Sequence, residues 1–404
     1  MTLSTPVAFI LCVAAIATLV FPPWNLPRWA GPLVAAVAAL VLGIVTPAAA
    51  GRAVAPLLPP VGFIMAAVPL TVLLDQTGFF PWLARCLTGG RSALGPFYVL
   101  TALVTTTLNL DVAVVLLTPL AVAVAKERRQ DPLALAIQPV MLALLASSAL
   151  PISNLTNLIA AARFGLSTWQ VFSHLALPSL VAVLAGWVLY QRRYPATDLA
   201  VTGSPKEAQA ATGGKAIALG GTVSLLSALG FVFGSSIGIA PWMVACGADI
   251  VLAVALRNFP LSAIPFEISC IVGGLRILTS AATSHVPWAT VALPHHPSPL
   301  TLGAIVIGAA LLANVVNNLP ALLLLLPHTA AQSWSLWGIL YGLNAGPFLM
   351  TTGALSTILW LSTVRRLGIQ FREREFFNLG IFVGIPAFIC GGVALLLLSI
   401  AIPG

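Results

Sequence analysis

The sequence predicts an all-α polytopic membrane protein, with ten transmembrane helices plus two re-entrant hairpins in two inverted-topology repeats. Three observations carry that prediction. Of 404 residues, 59% are hydrophobic and 7% charged, with a mean hydropathy of +1.04, whereas a soluble domain carries about 25% charged residues. The apolar runs are long and do not alternate, which excludes a transmembrane β-barrel. One long polar stretch, 191–214, divides the chain into halves that read alike.

A helical span takes about 20 mostly apolar residues. In the first half, spans are expected at 3–21, 30–48, 57–75, 133–150 continuing past a break to 165, and 172–190. The second half offers 215–234, 239–257, 260–279, a broken 332–364, and 376–401. The run 3–21 follows no Lys or Arg and ends in Pro-Pro-Trp, so it reads as a span rather than a cleaved signal peptide. Two further stretches, 93–125 and 299–327, are too long for one helix and polar at their centres. The cations decide how these run. If both stretches enter and leave on the same side, 15 of the 18 Lys and Arg residues share one face, all but Arg52, Arg163 and Arg276. That bias marks the shared face as cytoplasmic and sets both termini outside. The expected location is a bacterial or archaeal plasma (inner) membrane.

The first inverted repeat is then 1–190, with hairpin 93–125 and broken helix 133–165. A cytoplasmic linker spans 191–214. The second repeat is 215–404, with hairpin 299–327 and broken helix 332–364. Matched residues support the division. Asn109 precedes Pro119 by ten residues, and Asn317 precedes Pro327 by ten. Each hairpin is followed by an interrupted helix, Ser147–Ile159 and Leu343–Leu361, which joins a proline (Pro151, Pro347) to a cluster of Asn, Ser or Thr. Inverted repeats with paired broken helices are the pattern of secondary transporters.

Non-helical backbone at membrane depth survives only inside protein or beside a water-filled cavity. The four interruptions are therefore expected to converge on one shielded polar site. Broken helices expose N–H groups at one end and carbonyls at the other, and Asn and Thr add neutral donors and acceptors. The substrate-binding candidates are Asn109, Ser153, Asn154, Thr156, Asn157, Asn317, Asn318, Gly346, Thr351 and Thr352. A lone membrane Asn ordinarily bonds a neighbouring helix; five at matched interruptions point to a site. The set holds no arginine, so it suits a small neutral solute or a partly dehydrated ion better than a dianion.

Asp111, two residues past Asn109, is costly at such a depth unless it is functional or paired. Burial disfavours its charged form, so proton exchange near neutral pH is expected of it. Asp249, midway along an apolar span, is a second proton-coupling candidate, with structural pairing equally open. Glu267 and Arg276 share span 260–279 in roles the sequence leaves open. Asp75 ends a span. His285, His295 and His296 read as an external interfacial segment. The five cysteines are scattered without a CxxC pair, so no metal site and no cofactor are expected. A net charge of +8 comes from short clusters between spans, as membrane orientation requires, and no nucleic-acid partner is expected.

Taken together, TTTLNLDVAVVLLTP, LPISNLTNLI, VVNNLP and GPFLMTTGALSTILWL resemble the arsenite/antimonite efflux permeases, within an ion transporter superfamily that includes sodium/proton antiporters and dicarboxylate carriers. The resemblance covers nearly the whole chain. It departs at Leu110, where the family's tip carries a second Asn, and at Phe348–Met350, where the family is more polar. It implies arsenite or antimonite, as neutral trihydroxides, exported in exchange for protons by an elevator-like movement. It also implies an optional cytoplasmic ATPase subunit as partner. The chemistry agrees: Asn and Thr can pair with three O–H groups, and no Cys lies at an interruption to hold As(III) too tightly. The alternatives are a sodium/proton antiporter, another small-anion carrier, and a channel. An enzyme is not expected, since neither HExxH nor GxSxG occurs.

Overall fold

The computed structural model describes residues 4–23, 26–88, 93–127, 131–194, 214–283 and 292–402. Residues 195–213 of the expected linker 191–214, His285, and the cations Arg91, Arg128, Arg129 and Lys206 lie outside the described residues.

Among the described residues, the first half folds into ten α-helices: α1 (Ser4–Val20), α2 (Ala30–Val41), α3 (Pro47–Val54), α4 (Leu58–Gln76), α5 (Phe79–Thr88), α6 (Leu94–Thr107), α7 (Leu110–Glu127), α8 (Pro132–Leu145), α9 (Leu155–Phe164) and α10 (Thr168–Arg193). The second half supplies α11 (Gly214–Phe233), α12 (Pro241–Leu256), α13 (Phe266–Thr283), α14 (Pro299–Val316), α15 (Asn318–Leu325), α16 (Trp334–Ala345), α17 (Leu355–Arg366), α18 (Glu373–Leu379) and α19 (Ile385–Ala401).

Among the described residues, six helical stretches are long and apolar enough to cross a membrane: Pro47–Gln76, Thr168–Arg193, Gly214–Phe233, Leu261–Ala282, Pro299–Val316 and Glu373–Ala401. The other apolar helices run 10–17 residues. Two boundaries differ from the sequence expectation. The span expected at 30–48 ends at Val41, where Gly43 turns the chain at φ 67°. The span expected at 57–75 starts ten residues earlier, at Pro47. There the Thr46 side chain caps the Ala49 N–H, and proline occupies a first-turn position that needs no donor. A 3₁₀ turn, Ala55–Leu57, absorbs Pro56 and joins α3 to α4.

The core is built on the two expected broken helices. Every residue of α8 from Ala134 to Leu145 is buried, as is every residue of α16. Long helices around them keep one apolar face outward, with Val254 74% and Leu300 84% exposed. A helix apolar on its outer face meets lipid rather than water.

The order of contacts fixes helix directions. Gln138 Nε2 donates to the Leu94 carbonyl (3.0 Å) and Thr106 Oγ1 to the Ala146 carbonyl (3.1 Å). Hence α6 and α8 run the same way, and α7 packs against both. The second half repeats this arrangement. Along α16, Gly338 faces Leu302, Gly342 the Val306 carbonyl, and Gly346 Ala310, so α14 and α16 are parallel at close range. A side chain at Gly342 or Gly346 would collide with the α14 backbone. The Leu293 N–H donates to the His328 carbonyl (2.8 Å), tying the start of α14 to the end of α15. The chain therefore enters and leaves this pair at one level, turning at Asn317.

Candidate functional site

Both hairpin turns use asparagine in the same way. Asn109 Oδ1 accepts from the Asp111 N–H (2.8 Å), capping α7, while its Nδ2 donates to the Ile152 carbonyl (3.1 Å). Asn317 Oδ1 accepts from the Leu319 N–H (3.2 Å), capping α15, while its Nδ2 donates to the Thr352 carbonyl (2.9 Å). Each tip is thus pinned to the unwound stretch of its own half. Asn317 holds φ 77° and ψ 150°, a conformation almost confined to glycine. The bonds at both ends of its side chain and the Asn318 N–H donating to the Gly353 carbonyl (2.9 Å) hold it there.

The first unwound stretch runs from Ala146 to Asn154, with a 3₁₀ turn at Pro151–Ser153. Ser153 Oγ bonds the carbonyls of Ser147 and Leu150 and the Leu150 N–H. Asn154 caps α9 through Thr156 N–H (3.1 Å) and reaches Ser147 Oγ (3.2 Å). Asn157 Nδ2 donates to the carbonyls of Ser148 (3.0 Å) and Leu150 (3.1 Å). The second stretch, Gly346–Ala354, is organised by Asn314. Its Oδ1 accepts from the N–H groups of Leu349 (2.8 Å) and Met350 (3.1 Å), and its Nδ2 donates to the Gly346 carbonyl (3.1 Å).

The two halves meet at Asn344. Its Nδ2 donates to Asn157 Oδ1 (2.8 Å), and its Oδ1 accepts from Thr156 Oγ1 (2.5 Å). All three residues are buried. The sequence reading missed Asn344 and Asn314. The signal available was position: Asn344 sits two residues before Gly346-Pro347, and Asn314 three before Asn317.

Most of the predicted site residues therefore spend their polar atoms on the fold. Gly346 serves close packing against Ala310. Five buried polar atoms near the interruptions have no hydrogen-bond partner among the described residues: Thr105 Oγ1, Asp111 Oδ1, Ser148 Oγ, Ser356 Oγ and Thr357 Oγ1. Buried polar groups are ordinarily satisfied, so these are the groups open to water or cargo. Thr351 and Thr352 are half-buried on the wall of a cavity of about 700 Å³. Arg28, Arg365, Glu373 and Arg374 line the same cavity. Asp111 lies in the first turn of α7, where a helix N-terminus favours negative charge. Asp249 does not join this group. It is buried on α12, which packs on α4, and α4 stands between it and α7 and α9. Its Oδ1 also has no hydrogen-bond partner among the described residues. Among the described residues, no three His, Cys, Asp or Glu side chains gather to hold a metal ion.

Two broken helices, each pinned to the asparagine turn of its own half, thus frame the polar interruptions. The family model for the citrate transporters, CitMHS, matches residues 7–364. The chain belongs to this family. The transporter is also similar to the arsenical pump membrane protein of Escherichia coli, at 27% identity over 360 residues, which cover 80% of this chain and 82% of that protein. The protein of the same name from Escherichia coli strain K12 is 27% identical over 359 residues, with the same coverage. That from Yersinia enterocolitica is 26% identical over 357 residues, again covering 80% and 82%. The resemblance to arsenite efflux permeases thus extends along the transporter as the motifs indicated, and this is a multi-pass membrane protein of a transporter family.

Proposed function

We propose that the chain is a secondary active transporter that exports arsenite or antimonite as neutral trihydroxides in exchange for protons. The observation that carries this reading is the chemistry of the interruptions. Their side-chain polar groups are Asn, Ser and Thr, with Asp111 as the one carboxyl and no cation in either unwound stretch. An uncharged solute with three hydroxyls can pair with open hydroxyls and amides, where a citrate anion would need cationic partners to offset its desolvation. The arsenical pump relatives support the same cargo.

The proposed architecture is ten crossings and two re-entrant hairpins in inverted repeats, with both termini outside, in a bacterial or archaeal inner membrane. On this reading the cavity beside Thr351 and Thr352 opens to the cytoplasm past Arg28, Arg365 and Arg374. Cargo enters there and meets the open hydroxyls of Ser356 and Thr357 near the first turn of α17. The hairpin unit then shifts across the membrane against a scaffold that includes α12 and α13. Asp111 carries the returning proton, because its unpaired oxygen lies at a hairpin turn; Asp249, a helix away, acts on the scaffold side. An ATPase subunit is an optional partner.

A second reading, a carboxylate carrier, is favoured by the family model's own description. The reading is tested in arsenite-sensitive cells that lack their own exporter. Cells making the chain should accumulate less arsenite than cells with an empty vector, and cells making Asp111→Asn should not. Equal accumulation in all three would overturn it.

A further inference from the structure

A second cavity, of about 160 Å³, lies between α13, α9 and α15, away from the unwound stretches. Its wall holds two arginines, Arg163 at the last turn of α9 and Arg276 on α13. Ser280, one turn beyond Arg276, adds a hydroxyl, and Leu57, Ile159 and Pro327 are among the apolar remainder. Among the described residues, no carboxylate lines it. Both guanidinium groups line this one small cavity, where they meet as like charges. Neither has an acidic partner among the described residues; Arg163 lies instead over the Phe164 ring, 5.7 Å from its centre.

Arg163 alone has an ordinary role, since a cation at a helix C-terminus offsets the exposed carbonyls. Arg276 does not. It lies inside an apolar helix, where an unpaired charge is expensive, and it faces a second positive charge. Guanidinium pairs match phosphate-like oxyanions through their planar forks. The apolar walls lower the local dielectric and strengthen that attraction.

We infer that Arg163 and Arg276, with Ser280, form a binding site for a phosphate-type oxyanion, supplied either as a free inorganic anion or as the headgroup of an anionic lipid. The bound anion bridges α9 of the hairpin unit to α13, which packs with α1 and α2. The inference does not rest on which solute is exported.

The test uses the full chain, purified in detergent micelles and in nanodiscs. In micelles, inorganic phosphate at constant ionic strength should raise the melting temperature in a saturable way, relative to chloride, if the free anion is the ligand. If the headgroup is the ligand, phosphate has little effect and phosphatidylglycerol nanodiscs stabilise the protein over phosphatidylcholine ones. In either case Arg163→Gln and Arg276→Gln should weaken the response at least tenfold in midpoint concentration or abolish it, while Arg276→Lys keeps part of it. Arg163 is exposed at a helix end, so its variant folds even where Arg276→Gln does not. Absence of both responses, or equal responses in wild type and Arg163→Gln, would overturn the site.

Discussion

Asn344 on α16 donates to Asn157 on α9 across 2.8 Å, joining partners 187 positions apart in sequence. The same Asn344 accepts from Thr156. One amide thereby links the first turn of α9, just past the unwound stretch of the first half, to the last turn of a fully buried helix in the second. Any movement of the hairpin unit has to carry both stretches together or break this link.

Replacing Asn344 with Leu should destabilise the transporter by about 1–3 kcal/mol, because Asn157 Oδ1 and the Thr156 hydroxyl are left buried without their partner. A lower thermal midpoint in purified protein checks this. A midpoint unchanged from wild type would show that water takes over both bonds.

Asn317 should tolerate glycine better than alanine. Both variants lose the cap on α15 and the bond to Thr352, about 0.5–2 kcal/mol for the cap alone. Only glycine adopts φ 77° and ψ 150° without strain. The ordering of melting temperatures, wild type above Asn317→Gly above Asn317→Ala, tests the geometry.

Gly342→Val should fail to assemble or lose about 1–3 kcal/mol, since its side chain would meet the Val306 carbonyl across the parallel α14–α16 pair. Gly303→Ala is the control, because nothing lies near its side-chain position. Size-exclusion behaviour and thermal midpoint of the two variants give the comparison.

Thr352→Val removes a hydroxyl that makes no internal hydrogen bond among the described residues and faces the larger cavity. Its stability should stay within about 0.5 kcal/mol of wild type, as for a substitution that breaks no internal contact. Arsenite transport should fall, read as a raised KM with little change in stability. Stability loss without a transport defect would move Thr352 from the site to the fold.

Much of this architecture was legible because its signals are discordant. Proline beside Asn and Ser inside an apolar run cannot continue a helix cheaply, so the interruptions at Pro151 and Pro347 and the turns at Asn109 and Asn317 stood out. What the sequence could not convey was how each polar atom is used. Asn109, Ser153 and Asn157 were read as groups facing a substrate, and their hydrogen bonds show them holding backbone. The atoms left open belong instead to Thr105, Ser148, Ser356 and Thr357, hydroxyls that look ordinary in a helix because they can bond their own backbone. Asn344 was hidden for a related reason: a single amide in an apolar helix can bond any neighbour, and only the packing of α16 against α9 selects its partner. The early start at Pro47 lies beyond Pro56, Pro59 and Pro60, which occupy 3₁₀ and first-turn positions where proline costs the helix little.

The central claim, an uncharged site moving a neutral cargo against protons, is tested most directly by flux in proteoliposomes holding the purified chain. Arsenite, citrate and sodium are compared under an imposed pH gradient. The account predicts arsenite movement opposite to the proton gradient, abolished in Asp111→Asn, with no citrate or sodium flux. Citrate movement in the absence of arsenite movement would contradict it.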